Sequence, residues 1–292
     1  MEKKSYDTIV LSGGATKGFG IVGSLQYLQD IQQLQSIKKF IGTSIGAIIS
    51  YLVCIGYSPM EIMIISCQKQ IFEKMTHIDM VNVMNGKGAV SFHIFQEILE
   101  KLTIEKIKKY ITLQDLYIKY NKELVCCTYN MTLQKAEYLS YKTHPDLPCI
   151  TALRMSSNLP FFFETFCYDD YKYIDGGIVD NFPISQVLSE DVALGIRTKK
   201  VLLADPQRKE EDNLVRQFLV MLTIPIGYIE ELQIKLEKDK QMDLIDIPIP
   251  AYIAFSLNMN NTEKFDLFSI GYETTKTFFS HVSERNGLSG LE

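Results

Sequence analysis

Apolar residues fall along the chain in two alternating styles: short unbroken runs, and longer stretches spaced three or four apart. Residues 6–11 form a run short and apolar enough for a buried strand. A helical pattern follows over 19–34, with Ile21, Leu25, Leu28 and Ile31 at three- to four-residue spacing. Between them lies the turn-prone stretch Ser12-Gly13-Gly14-Ala15-Thr16-Lys17-Gly18. The unit then repeats. An apolar strand at 38–41 enters Gly42-Thr43-Ser44-Ile45-Gly46, and 47–55 is apolar on every side, as expected of a helix packed inside a domain.

Pro59 starts another helix through about residue 70. The mixed polarity of 75–91, with its Gly86-Lys87-Gly88 breaker, predicts a long loop or cap of the kind that covers a site. Helices are expected at 92–102, 113–120 and 148–155, and strands at 123–131 and 136–141. The aromatic segment 161–174 reads as strand with a turn at Asp169-Asp170, and it delivers the chain into Asp175-Gly176-Gly177. After Asn181-Phe182-Pro183 the pattern predicts a helix to residue 189 and a buried strand at 200–203. Amphipathic helices at 208–222 and 228–240 are separated at Pro225, and a last strand (253–257) and helix (262–282) close the chain. This alternation predicts an α/β fold. No repeat, low-complexity tract or linker divides it, so a core over 6–205 and a helical extension over 206–292 are expected to pack as one domain.

A chain of 292 residues buries enough surface to need no disulfide staples. Its 30 Lys and Arg against 35 Asp and Glu leave a net charge of −5, without the basic footprint that binds nucleic acid. Any lipid contact must then be mostly apolar. The first residues lack the apolar run of a secretory leader, and the longest apolar stretch, 45–55, is about half of the ~20 residues that span a bilayer. The expected location is cytoplasmic, peripheral to membranes at most. The six cysteines include no C-x-x-C pair and read as buried thiols, with no metal site.

Gly42-Thr43-Ser44-Ile45-Gly46 matches G-x-S-x-G between an apolar strand and an apolar helix, the context in which a sharp turn exposes a nucleophilic serine. The same serine also suits a simple helix cap. Attack by a serine on an acyl carbonyl creates an oxyanion. Backbone N–H groups of Gly13, Gly14 and Ala15 at a helix start would stabilise it, with Lys17 adding charge or pinning the loop. Two rival glycine loops fail: Gly18 is followed by Phe19-Gly20 rather than Lys and Ser/Thr, and Ala15 replaces the middle glycine of G-x-G-x-x-G. For the base, four histidines exist, and Ser44, Asp175 and His281 stand in the chain order of an α/β-hydrolase triad. His281 sits in Phe278-Phe279-Ser280-His281-Val282, where nothing signals a loop. Asp175, at a strand end before two glycines, can serve as the base itself or merely begin a tight turn. A binding module for lipid or nucleotide, with the fold but not the chemistry, is the reading from another class.

Taken together, the loop Gly13 to Gly18, the elbow Gly42 to Gly46, the segment Ala152-Leu153-Arg154-Met155-Ser156-Ser157-Asn158-Leu159-Pro160-Phe161-Phe162-Phe163 and Tyr173-Ile174-Asp175-Gly176-Gly177 resemble, in order and spacing, the patatin-like phospholipase family. The resemblance covers about residues 6–205. It implies a three-layer α/β/α fold with a mainly parallel sheet, and hydrolysis of fatty-acyl esters in phospholipids or neutral lipids without a metal or other cofactor. It also implies a Ser-Asp dyad: Ser44 as nucleophile, Asp175 as base, the amides of Gly13, Gly14 and Ala15 as oxyanion donors, and Gly18, Gly42, Gly46, Gly176 and Gly177 as supporting positions. The part from about residue 209 on lies outside the resemblance: Phe218, Leu219, Met221, Leu222, Ile224, Ile226 and Ile229 near Pro225 are expected to pack on the domain, because their flanks alternate acidic and basic charge with no net positive face, and transient docking on a membrane surface is the alternative reading. The family loop usually carries a third glycine where this chain has Ala15, whose methyl group is penalised if its φ is positive.

Overall fold

In chain order the strands are β1 (Thr8–Leu11), β2 (Lys39–Thr43), β3 (Glu123–Asn130), β4 (Lys135–Leu139), β5 (Phe166–Tyr168), β6 (Tyr171–Asp175), β7 (Ala193–Val201) and β8 (Met242–Pro250). The helices are α1 (Gly18–Asp30), α2 (Ile45–Cys54), α3 (Pro59–Gln68), α4 (His93–Ile107), α5 (Leu113–Tyr120), α6 (Cys149–Ser156), α7 (Leu214–Leu236) and α8 (Asn261–Leu288). This is a computed structural model, and it describes residues 4–68, 91–160, 162–201, 214–250 and 259–288.

The described strands form one sheet in the order β5-β6-β3-β2-β1-β7-β8, with β4 also paired to β3. β3, β2, β1, β7 and β8 run parallel to one another, whereas β4 and β6 pair antiparallel with β3, and β5 pairs antiparallel with β6. Side chains alternate across the central strands, as period two requires. Ile9, Leu11, Phe40 and Leu124 join the larger core; Val10, Ile41 and Val125 point to the other face, under Phe182, Ile184 and Val187. Both faces are therefore covered, which is why these strands read as unbroken apolar runs. The expected three-layer α/β fold with a mainly parallel sheet is the one observed.

The C-terminal part contributes more than helices. α8 lies so tightly on α1 that a Cβ on Gly271 would come within 1.8 Å of the Gly20 carbonyl oxygen, and Ser24 Oγ donates to the Gly271 carbonyl at 3.0 Å. β8 extends the same sheet. Pro248 and Pro250 hid it from pattern reading, yet at the outermost described strand a missing N–H costs nothing if it faces away from β7.

Three other expectations are corrected. β7 begins at Ala193, not residue 200, because its charged positions are paired rather than solvated: Arg197 is buried and donates to Asp246 at 2.6 Å and Glu231 at 3.0 Å. Only one 3-10 turn, Ile184–Gln186, stands where a helix to residue 189 was expected. α7 passes through Pro225 unbroken, since Pro225 and Met221 are exposed and the carbonyl deprived of its partner can be hydrated. The cap expected at 75–91, apart from Ser91, and the strand expected at 253–257 lie outside the described residues. Among the described residues, no single helix is long and apolar enough to cross a membrane.

Candidate active site

Parallel strands bring their C-terminal ends to one edge of the sheet, and the turns after β1 and β2 meet there. Ser44 is the one residue between β2 and α2, with φ 54° and ψ −122°. A non-glycine residue pays for this conformation with strain that persists only where the surroundings impose it. Two neighbours do so. A Cβ on Gly46 would stand 2.5 Å from the Leu11 carbonyl oxygen, so only glycine lets the turn press against β1. The Ser44 N–H donates to Ser156 Oγ at 3.0 Å, which ties the elbow to the end of α6.

Asp175 ends β6. Its Oδ2 accepts from Ser44 Oγ at 2.6 Å, its Oδ1 accepts from the Gly177 N–H at 2.7 Å, and its own N–H donates to the Asn158 carbonyl at 2.9 Å. Asn158 Nδ2 in turn donates to the Tyr173 carbonyl at 2.9 Å, so Asn158 holds the strand end through both its backbone and its side chain. Burial raises the Asp175 carboxyl from its ordinary 3.8 to about 6, against the pull of the hydrogen bonds from Ser44 and Gly177. A carboxylate so placed can take the hydroxyl proton at neutral pH and hold it well enough to return it.

The glycine loop follows β1. Its three expected donors are not equivalent: the Gly13 N–H already donates to the Asn181 carbonyl at 2.9 Å, whereas no acceptor among the described residues engages the amides of Gly14 or Ala15. Gly13 is thus engaged within the fold at this point, while the other two amides face no such acceptor among the described residues. Ala15 adopts φ 48°, the left-handed conformation in which its methyl group is penalised. Ala15–Lys17 form a 3-10 turn that opens directly into α1 at Gly18, so the loop also lies at a helix N-terminus. Lys17 acts electrostatically on Glu230 of α7, helping to offset the rise that burial imposes on that carboxyl.

Sequence reasoning singled out Ser44, Asp175 and the loop, and the fold brings all of them together. His281 lies elsewhere. It is exposed on α8, two residues after Phe279, which packs on Tyr6 with ring centroids 6.2 Å apart. Tyr6 precedes β1, at the opposite end of the sheet from Gly13 and Ser44. Four residues were given no role from sequence: Ser156, Asn158, Asn181 and Glu230. The first two sat in the Ser156-Ser157-Asn158 block, and Asn181 in Asn181-Phe182-Pro183. Glu230 carried no local signal; it accepts from Asn181 Nδ2 at 2.8 Å and so ties α7 to the loop.

A family model described as patatin-like phospholipase matches residues 9–188. Probable lipid hydrolase 463L of Invertebrate iridescent virus 6 is 28% identical over 294 residues, which span 99% of this chain and 94% of that protein. The uncharacterised protein YqhO of Bacillus subtilis is 23% identical over 292 residues, 92% of this chain and 96% of its own length. Among solved structures, VipD from Legionella pneumophila superposes with a TM-score of 0.57 at 15% identity, covering 95% of this chain and 67% of VipD. ExoU of Pseudomonas aeruginosa, in its complex with SpcU, gives 0.57 at 16% identity, with 97% of this chain matching about half (52%) of ExoU. At these identities the structural likeness concerns the fold.

Proposed function

The chain belongs to the patatin-like phospholipase family and is a lipid ester hydrolase, and we propose that Ser44 and Asp175 carry its chemistry without a histidine. The 2.6 Å hydrogen bond from Ser44 Oγ to Asp175 Oδ2 is the observation that supports this reading best. Ser44 attacks the acyl carbonyl of a phospholipid or neutral lipid while Asp175 accepts its proton. The oxyanion meets the free amides of Gly14 and Ala15, donors worth several kcal/mol when aimed in advance. Asp175 returns the proton to the departing alcohol, leaving an acyl-serine. A water molecule that gives its proton to Asp175 then attacks the acyl-serine and releases the fatty acid, restoring the Ser44 hydroxyl.

Contact with the lipid surface is part of the same proposal. On α7, Met221, Ile224, Tyr228, Leu232 and Leu236 are all exposed, at spacings of three and four residues that draw them into one stripe. Glu230 points the other way, to Asn181 beside the loop. The helix that reaches the site therefore shows an apolar stripe to solvent, and its transient insertion would present the site to its substrate.

A fluorophosphonate label, with the adduct mapped by peptide mass spectrometry, tests the dyad. The adduct is expected on Ser44. Ser44→Ala and Asp175→Asn should each lose nearly all release of fatty acid from mixed lipids while remaining folded, and His281→Ala should keep it. Labelling at another residue, or loss of turnover in a folded His281→Ala protein, would overturn the assignment.

A further inference from the structure

The turn after Asp175 touches each part of the site. The hydroxyl of Thr43, one residue before Ser44, donates to the Asp180 carbonyl at 2.8 Å, and the Asp180 N–H donates to the Gly176 carbonyl at 2.8 Å. The Gly13 N–H donates to the Asn181 carbonyl at 2.9 Å. The Asn181 side chain enters the same junction. A Cβ on Gly13 would stand 2.3 Å from Asn181 Oδ1, and a Cβ on Gly177 would stand 2.8 Å from the same atom. Both glycines are thus pressed against one carboxamide. It fills the space between the glycine loop and the turn whose Gly177 N–H holds Asp175 Oδ1, and so it sets the distance from the loop to the base.

A carboxamide has an oxygen end and a bulkier NH₂ end, and what fixes its orientation here comes from α7. Asn181 Nδ2 donates to Glu230 Oε1 at 2.8 Å, which leaves Oδ1 facing the two glycines. Glu230 is buried. An apolar side chain would occupy such a position at less cost than a carboxyl group, but it could not accept from Asn181. Resting on the reading of Ser44 as nucleophile and of the loop amides as oxyanion donors, we propose that Glu230 is a positioning residue for that reaction. Through Asn181 it holds the glycine loop at its working distance from Asp175. α7, which lies beyond the family-matched residues 9–188, is therefore part of what completes the site. Without Glu230 the carboxamide is free to turn its NH₂ end towards the glycines, and the loop shifts with it. A displacement of under ~1 Å at amides that meet an oxyanion acts on the transition state far more than on substrate binding.

The test is steady-state hydrolysis of p-nitrophenyl butyrate, a short soluble ester that reads the chemistry apart from any lipid surface. Glu230→Ala should lower kcat about tenfold, with KM changed by less than about twofold. Glu230→Gln keeps the shape and an acceptor oxygen, and should recover most of the kcat lost in Glu230→Ala. Glu231→Ala is the control for α7 itself: it removes the contacts to Arg197 at 3.0 Å and Lys199 at 3.1 Å without touching Asn181, and should keep kcat. Thermal melts establish that the variants are folded. Where the alanine variant fails to fold, Glu230→Asp, which withdraws the acceptor by one methylene, should lose kcat in the same sense. Wild-type kcat in the folded Glu230 variants, a loss carried by KM, an equal loss in Glu231→Ala, or no recovery in Glu230→Gln would overturn the proposal. Ser44→Ala separates it from the reading on which it rests. If Ser44→Ala abolishes turnover while Glu230→Ala is unimpaired, only the positioning role fails; if Ser44→Ala keeps turnover, the dyad fails first.

Discussion

Thr43 and Asp175 stand opposite consecutive residues of one strand: Thr43 pairs with Cys127, and Asp175 with Thr128. β4 occupies the other edge of β3 over Cys126 to Asn130, so β2 and β6 must approach head to head along the remaining edge. Ser44 follows Thr43 directly. Its hydroxyl therefore meets a carboxylate 131 positions away in the chain, with β3 setting the separation. Gly176 must be small for the same reason, since a Cβ there would stand 2.4 Å from the Cys127 carbonyl oxygen.

The first prediction concerns pH. A base must be unprotonated to accept the serine proton, and burial places the Asp175 carboxyl at about 6. Log kcat/KM should be level above roughly pH 7 and should fall with unit slope below about 6. A soluble ester whose profile stays level down to pH 4.5 would contradict Asp175 as the base.

Stability should move in the opposite sense. Between 3.8, the ordinary carboxyl value, and about 6, the folded protein binds a proton that the unfolded chain has released, so unfolding free energy falls as pH rises through that window. Above it, the ionised buried carboxylate costs on the order of 3 kcal/mol. Asp175→Asn cannot ionise. It should be more stable than wild type in urea at pH 7.5 by up to about that amount, and the difference should shrink towards zero near pH 4. A variant less stable at pH 7.5 than at pH 4, relative to wild type, would refute this.

Ser156→Ala removes the acceptor of the Ser44 N–H in a region where Ser156 is fully buried. An unpartnered buried amide costs about 1–3 kcal/mol. Urea unfolding should show a loss in that range. Turnover should drop about tenfold through kcat rather than KM, because the elbow's strained conformation relaxes; full kcat would show that the elbow does not need this bond.

Ala15→Gly relieves the φ of 48° at the second free amide of the loop while leaving its N–H in place. Removing the left-handed penalty gains about 1–2 kcal/mol, and the more flexible unfolded chain takes back about 0.4–1. The expected result is a slightly higher melting temperature with activity kept or raised. A clear loss of stability would mean that the Ala15 methyl group packs usefully in the apolar pocket that it helps to line.

Charge placed on the exposed stripe of α7 should separate lipid contact from chemistry. In cosedimentation with vesicles of zwitterionic phospholipid, Ile224→Asp combined with Leu232→Asp should bind several-fold more weakly. Hydrolysis of a short water-soluble ester should be unchanged, because both side chains point away from the Asn181–Glu230 contact. Equal vesicle binding by wild type and variant would remove α7 from the membrane-contact proposal.

Much of the site could be read in advance because its signals are local. Glycine at 42 and 46 around a serine, and two glycines after Asp175, are demands of single turns, and a turn announces itself in a few adjacent residues. The poverty in histidine, and the placing of His281 in a helical pattern away from any loop, likewise pointed away from a triad. Ser156 and Glu230 gave no such sign. Each acts through one hydrogen bond to a partner remote in sequence, and no spacing rule links Ser156 to Ser44 or Glu230 to Asn181.

The chain by itself determined the alternation of buried strands and helices, the two sharp turns and the candidate residues for acyl chemistry, since these follow from the apolar period and from steric demands within a few residues. Tertiary structure alone decided which loop amides remain free, how high burial lifts the Asp175 carboxyl, that charged Arg197 belongs inside a strand, and that apolar faces of α2 and α4 line one pocket with Ala15. Those properties depend on distances between segments far apart in sequence and on the exclusion of water, and neither exists until the sheet has assembled.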